Sequence, residues 1–289
     1  MIVDAHQHFW RLDRSDYGWL QPQLGILYRD YLPQDFEPLL GANDVGATVL
    51  VQAAATENET RYLLELATAH PFIAGVVGWV EFEADDAAQR MAALVACGHG
   101  RLKGLRPMLQ DIADPQWILK PQLDAAFAAM IEQDLTFDAL ATPQLLRPVM
   151  ERLRRHPDLR AIIDHAGKPD IAGGAFSLWA EDIARLAGET AACCKLSGLL
   201  TEAHAGAGVD ALDRYVAHVF ACFGPKRVVW GSDWPVLNRA SDYGRWLAVA
   251  RELVRRHAPG YETEVFGTNA IALYGLEAGL IATASTARP

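Results

Sequence analysis

Apolar residues rich in β-branched side chains gather in short runs along the chain. They are Ile2–Ala5, Ala47–Gln52, Phe72–Val80, Leu102–Pro107, Thr136–Leu140, Arg160–Asp164, Cys193–Leu196 and Arg227–Trp230. Runs such as Ala47-Thr-Val-Leu-Val51 and Arg160-Ala-Ile-Ile-Asp164 are almost continuously apolar rather than alternating. Strands of a parallel sheet, buried on both faces, carry this pattern. The segments between them have helical spacing. Glu59–Ala69 sets Tyr62, Leu63, Leu66 and Ala67 on one face, and Ala84–Ala96 does the same with Met91, Leu94 and Val95. Lys120–Gln133 carries Leu123, Phe127, Met130 and Ile131. In Pro143–Arg155, Leu146, Val149, Met150 and Leu153 recur at helical intervals, with Thr142 placed as N-cap and Pro143 at the first helical position. Further helices are expected over Phe176–Ala187, Asp210–Phe223 and Tyr243–His257.

Strand and helix therefore alternate through eight units with a repeat of about 30 residues, the size of one βα unit. The first interval is longer and holds Arg11–Tyr31, read as an extended loop after the first strand. No Pro/Gly/Ser-rich linker or charge block divides the chain. The pattern predicts an α/β fold: a single, distorted (β/α)8 TIM barrel over residues 1–275, followed by a tail at 276–289 that frays from Ile281. An open doubly wound sheet is the alternative. No GxGxxG follows an early strand and no GxxxxGK[ST] occurs, which weakens the nucleotide-binding version of that fold.

Composition is that of a globular protein, with 51% apolar and 21% charged residues, so disorder is excluded. A formal net charge of −10 repels phosphates and argues against nucleic acid as a partner. The four cysteines, Cys97, Cys193, Cys194 and Cys222, form no CxxC pair and are read as reduced core residues. The opening MIVDAHQHFW has neither a basic n-region nor a long apolar h-region, and no stretch reaches about 18 consecutive apolar residues. The expectation is a soluble, cytoplasmic protein with no membrane contact. Its oligomeric state is left open, a homo-oligomer included.

In a barrel of this kind, chemistry collects at the carboxyl ends of the strands. The first strand ends in Asp4-Ala-His6-Gln-His8, the sixth in Asp164-His165-Ala-Gly167-Lys168 and the eighth in Gly231-Ser-Asp233-Trp234-Pro235. Residues two apart on a strand share a face, so His6 and His8 can grip one centre. With His165 and Asp233 they make a set suited to Zn²⁺ or a similar ion with room for water. The same set works without metal if the imidazoles polarise a carbonyl while Asp233 activates water. Lys103 and Arg106, in Lys-Gly-Leu-Arg-Pro, can bind a carboxylate, hydroxyls or a leaving oxygen. Glu81 and Asp138 lie at or near the ends of the third and fifth strands. Trp10, Trp19, Trp79 and Trp234 offer aromatic planes for the C–H faces of a carbohydrate, with core packing as the alternative.

Taken in order, Asp4-Ala-His-Gln-His8-Phe-Trp, Lys103-Gly-Leu-Arg-Pro107, Ile163-Asp-His-Ala-Gly-Lys168, Lys195-Leu-Ser-Gly198 and Trp230-Gly-Ser-Asp-Trp-Pro235 resemble the amidohydrolase superfamily. More narrowly they are similar to its amidohydrolase-2 branch, which contains sugar-lactone hydrolases. The likeness runs from residue 2 to about residue 275, in the order of the chain's βα units. It implies a distorted TIM barrel in which His6, His8, His165 and Asp233 surround the reacting carbonyl. It also implies hydrolysis of a small-molecule sugar lactone, L-fucono-1,5-lactone or a close stereoisomer, with Lys103, Arg106, Glu81 and Asp138 positioning hydroxyls or assisting the leaving alkoxide. Binuclear relatives carry a Lys or Glu after the fourth strand and a His after the fifth. This chain has Asp138 there, so the expectation is one divalent ion, Zn²⁺ first, which the reaction need not require. The alternatives are a metal-dependent decarboxylase or hydratase of an aromatic acid, and a non-catalytic barrel that binds sugar acids.

Overall fold

The computed structural model describes residues 1–277. Eight strands pair in parallel in chain order: β1 Ile2–Gln7, β2 Val45–Val51, β3 Ile73–Gly78, β4 Leu102–Leu105, β5 Thr136–Ala139, β6 Ala161–Ile163, β7 Cys193–Leu196 and β8 Val228–Trp230. Helices lie between them: α1 Pro33–Ala42, α2 Glu57–Ala69, α3 Ala87–Cys97, α4 Asp124–Glu132, α5 Leu146–Arg155, α6 Ser177–Glu189, α7 Val209–Phe223 and α8 Tyr243–His257. The result is a nearly closed (β/α)8 barrel. Closure between β8 and β1 is made by residues just beyond the strand: Asp233 N–H donates to the His6 carbonyl (2.8 Å) and His8 N–H to that of Trp234 (2.7 Å). Gly231 permits this approach, because a Cβ there would meet the His6 backbone nitrogen at 3.0 Å and its Cβ at 2.7 Å.

One core lies between the strands and the surrounding helices. A second joins small strand residues, among them Val3, Ala5, Ala47, Val49 and Val229, to Leu273 and Tyr274. Leu273 and Tyr274 belong to α9 (Asn269–Tyr274), which packs at the amino ends of β4 and β5. There the Leu273 carbonyl accepts from Thr136 Oγ1 (3.1 Å) and the Gly275 carbonyl from Lys103 Nζ (2.9 Å). The expected long first loop is present and pinned at its ends, where Trp10 and Tyr31 exchange both backbone hydrogen bonds at 3.0 Å.

Two local expectations are corrected. Thr142 does not cap α5 with its side chain. A 3-10 turn over Pro143–Leu145 precedes the helix, Leu145 N–H is satisfied by the Thr142 carbonyl (2.9 Å), and the buried hydroxyl has no partner among the described residues. Of the cysteines only Cys194 is buried. Cys193 and Cys222 are partly covered, and Cys97 is exposed at the end of α3. The tail beyond 277 lies outside the described residues. No described helix is long and apolar enough to cross a membrane.

Candidate active site

The mouth of the barrel is assembled from two strained turns and one strand end. After β8 the chain turns through Asp233 at φ 60°, a left-handed conformation that is uncommon for a residue with a Cβ. Asp4, buried in β1, holds this turn. One of its carboxylate oxygens accepts the Ser232 N–H (2.8 Å) and the other the Tyr243 hydroxyl (3.0 Å). Burial pushes the Asp4 carboxyl up to about 6, although these hydrogen bonds oppose the shift. After β6, His165, Ala166, Gly167 and Lys168 all have φ between 50° and 72°, so four successive residues wind left-handed. Such a run costs about 1–2 kcal/mol per non-glycine residue and needs outside support. Trp179 Nε1 supplies it by donating to the Ala166 carbonyl (2.8 Å), and the Lys168 N–H donates to that of His165 (2.9 Å). The turn aims the His165 ring inward, with Nδ1 against Ser197 Oγ (2.8 Å).

The rings converge on Asp233. Its Oδ1 lies 3.7 Å from His6 Nε2, 3.4 Å from His8 Nε2 and 4.0 Å from His165 Nε2. His8 is oriented from behind by the Val51 carbonyl, 2.7 Å from its Nδ1. Burial lowers the His165 imidazole to about 4 and His6 well below its usual value, so both are neutral near pH 7. For Asp233, burial disfavours the charge, but the three imidazoles outweigh it and hold the carboxyl well below the usual range. Two neutral imidazoles and an ionised carboxylate are the donor chemistry of a borderline divalent ion. His6, His165 and Asp233 each offer one ligand atom, all within 4.8 Å of one another, so these residues fit one ion. His8 stands beside that set, against the carboxylate.

Beneath His6 lies a charged network that sequence reasoning did not assemble. Lys195, Asp138 and Asp164 are fully buried. Lys195 Nζ is 2.6 Å from Asp138 Oδ2 and 2.8 Å from Asp164 Oδ1, and Tyr274 Oη donates to Asp138 Oδ2 (2.7 Å). Burial alone would depress the ammonium, but the two carboxylates more than offset it and raise it. Burial pushes Asp138 up to about 6, partly countered by Lys195. The signal that could have found this network is a lone lysine inside the apolar strand Cys193–Leu196. Arg106, also buried, donates to Asp164 Oδ2 (3.3 Å) and through two nitrogens to Gln52 Oε1 (3.2 and 2.9 Å). It donates as well to the Gln52 carbonyl.

A cavity of about 290 Å³ opens over His8, His165, Asp233 and Arg106, walled by Trp10 and Trp19 and rimmed by Lys168 and Arg239. Trp79 and Glu81 line an adjoining cavity of about 480 Å³, which shares Trp19 and Asp111 with the first. The structure places three other candidates elsewhere. Trp234 is buried and stacks on Phe36 (centroids 4.5 Å), within the core between β8 and α1. Lys103 sits at the start of β4 and reaches the Gly275 carbonyl at the opposite end of the barrel. Asp138 faces Lys195 and does not line the cavity.

A parallel βα barrel with an imidazole–carboxylate cluster at its carboxyl end defines a class, and the chain belongs to it. It is a member of the amidohydrolase family, whose profile matches residues 3–276. It is 44% identical over 279 residues to L-fucono-1,5-lactonase of Burkholderia ambifaria, covering 95% of this chain and 96% of that protein. It is 36% identical over 291 residues to L-fucono-1,5-lactonase of Burkholderia multivorans, with the same coverages. An amidohydrolase from Burkholderia multivorans, crystallised with bound Zn, superposes with a TM-score of 0.89 at 33% identity, over 96% of this chain and 100% of that one.

Proposed function

We propose that this protein hydrolyses a sugar lactone, L-fucono-1,5-lactone or a close stereoisomer, to the sugar acid. The observation that carries this reading is the convergence of three imidazoles on one ionised carboxylate at the mouth of a barrel whose relatives are lactonases. The charges on His6 and His165 that help hold Asp233 low exist only in acid. Near neutral pH the carboxylate faces uncharged His6 and His165 and is available as a base. It takes a proton from the attacking water, whose oxygen bonds to the lactone carbonyl carbon. Imidazole N–H groups stabilise the oxyanion, and the ring C–O bond then breaks to release the alkoxide, which takes up a proton. A divalent ion held by His6, His165 and Asp233, with zinc as the candidate, would supply Lewis-acid polarisation of the carbonyl when bound.

Trp10 and Trp19 give the cavity apolar walls for the sugar's C–H faces, while Arg106 and Lys168 offer donors for oxygen atoms. A neutral lactone also meets no electrostatic barrier from the −10 chain. The test is a pH-indicator screen of aldonolactones, run with and without chelator. The fastest acid release is expected from L-fucono-1,5-lactone, and the chelator arm measures the contribution of metal. Failure to open any lactone faster than its spontaneous rate overturns the reading.

A further inference from the structure

Lys195 has a third contact besides its two carboxylates: its Nζ lies 3.1 Å from His6 Nδ1. An ammonium has three N–H bonds and no acceptor. Two of them meet Asp138 Oδ2 (2.6 Å) and the imidazole, while Asp164 Oδ1 is an ion-pair partner at 2.8 Å, and all these side chains are fully buried. An imidazole nitrogen that accepts a hydrogen bond carries no proton. We propose that Lys195 is the positioning residue of His6: its ammonium claims Nδ1 and leaves the ring proton on Nε2, the nitrogen that faces Asp233 just beneath the cavity floor. The competing arrangement would have Nδ1–H donate to Asp164 Oδ1 at 3.5 Å while Nε2 accepts from Arg106 at 3.4 Å. Both of those contacts are longer than the Lys195 contact, and Arg106 already has Gln52 and Asp164 as acceptors.

The consequence deepens the lactonase reading and rests on it. With the proton on Nε2, His6 of the metal-free enzyme is a hydrogen-bond donor held ready for the carbonyl oxygen as negative charge develops, and it would have to give up that proton to hold an ion. The buried carboxylates then have a purpose beyond neutralising each other: Asp138 and Asp164 fix the ammonium that fixes the ring. Tyr274, bonded to Asp138, ties this chain of contacts to α9 at the far end of the barrel.

A long-range ¹H–¹⁵N spectrum of ¹⁵N-histidine-labelled enzyme, recorded in chelator and without substrate, reads the tautomer directly. His6 is assigned by the signal lost in His6→Asn. The expected result is a proton on Nε2 alone, and a proton on Nδ1 overturns the proposal. Because no lactone is present, this outcome is independent of whether lactone hydrolysis is the reaction. In Lys195→Met the ring is expected to switch to Nδ1–H, with kcat falling about 10²-fold and KM little changed, the size of loss seen when one oxyanion donor is removed. A folded Lys195→Met protein with an unchanged tautomer and unchanged kcat overturns it. Should that variant not fold, the wild-type spectrum alone decides.

Discussion

Gly198 lies directly behind His165, so close that a Cβ on it would stand 2.6 Å from the imidazole Nδ1. Its φ of +66° adds a second reason for glycine. No rotation of a flexible tip relieves this overlap, because the obstructed group is the ring itself. Gly198→Ala is therefore expected to push His165 off Ser197 and away from Asp233. A displacement of that kind costs about 10²-fold in kcat/KM. The overpacking should also cost about 1–3 kcal/mol of stability. Steady-state kinetics and denaturant unfolding check the two effects, and wild-type kinetics in the variant would show that His165 needs no fixed position.

Asp233→Asn tests the base without disturbing the turn. Asparagine is among the few non-glycine residues that tolerate φ near 60°, so the left-handed backbone and the closure of β8 on β1 should survive. The carboxylate that would accept the water's proton is gone. Turnover should drop about 10²–10⁴-fold, the usual share of general-base catalysis. Circular dichroism and Tm should stay at wild-type values. Substantial activity in this variant would remove Asp233 from its role.

Lys103 and Arg106 share one sequence motif and divide in space. Arg106→Lys removes the planar fork that serves Gln52 and Asp164, and leaves buried acceptors unpaired at about 1–3 kcal/mol. We expect kcat/KM to fall by at least about 10-fold, since each 1.4 kcal/mol is a factor of ten. Lys103→Gln should change kcat/KM by less than about two-fold, because its ammonium lies at the opposite end of the barrel from the cavity and touches nothing there. Equal losses in both variants would contradict this division.

That division shows how the sequence is legible and where it stops. All eight strands could be read because parallel strands buried on both faces are apolar throughout. His6, His8, His165 and Asp233 could be read because titratable residues follow three of those runs directly. Lys103 was misplaced because a three-residue spacing says nothing about which end of a four-residue strand a long side chain follows. Here it runs toward α9, whose docking depends on contacts about 170 residues apart in sequence. Trp234 looked like a sugar platform but stacks on Phe36, a partner that only the closed barrel brings to it. Lys195 was read only within the Lys195-Leu-Ser-Gly198 motif and given no role, because its partners come from β1, β5 and the turn after β6. A lone lysine in an apolar strand marks the site of a buried charge, but nothing local says which carboxylates and which ring it meets.

Glu59 gives the fold a specific pH dependence. It is buried at the start of α2, and its two carboxylate oxygens accept the N–H groups of Ala53 and Ala54 (2.8 and 2.7 Å). This fixes the loop after β2 that lines both cavities, and the Ala53 carbonyl in turn accepts from Trp19 Nε1 (2.7 Å). Burial pushes the carboxyl up to about 8 from 4.5, only partly countered by those two hydrogen bonds. Between these values the unfolded chain loses the proton while the folded chain keeps it. The folded state then binds more protons, so this group's contribution to stability falls as pH rises through the window and levels off above about 8. The total is on the order of a few kcal/mol. Glu59→Gln cannot ionise, so its stability should lack this slope, while the other buried acids, Asp4 and Asp138, act equally in both proteins. Urea unfolding at pH 5 and pH 8 measures it: relative to wild type, Glu59→Gln should be markedly less favourable at pH 5 than at pH 8. Parallel curves would mean that Glu59 is already ionised in the folded protein and that its two N–H partners, not burial, decide its charge.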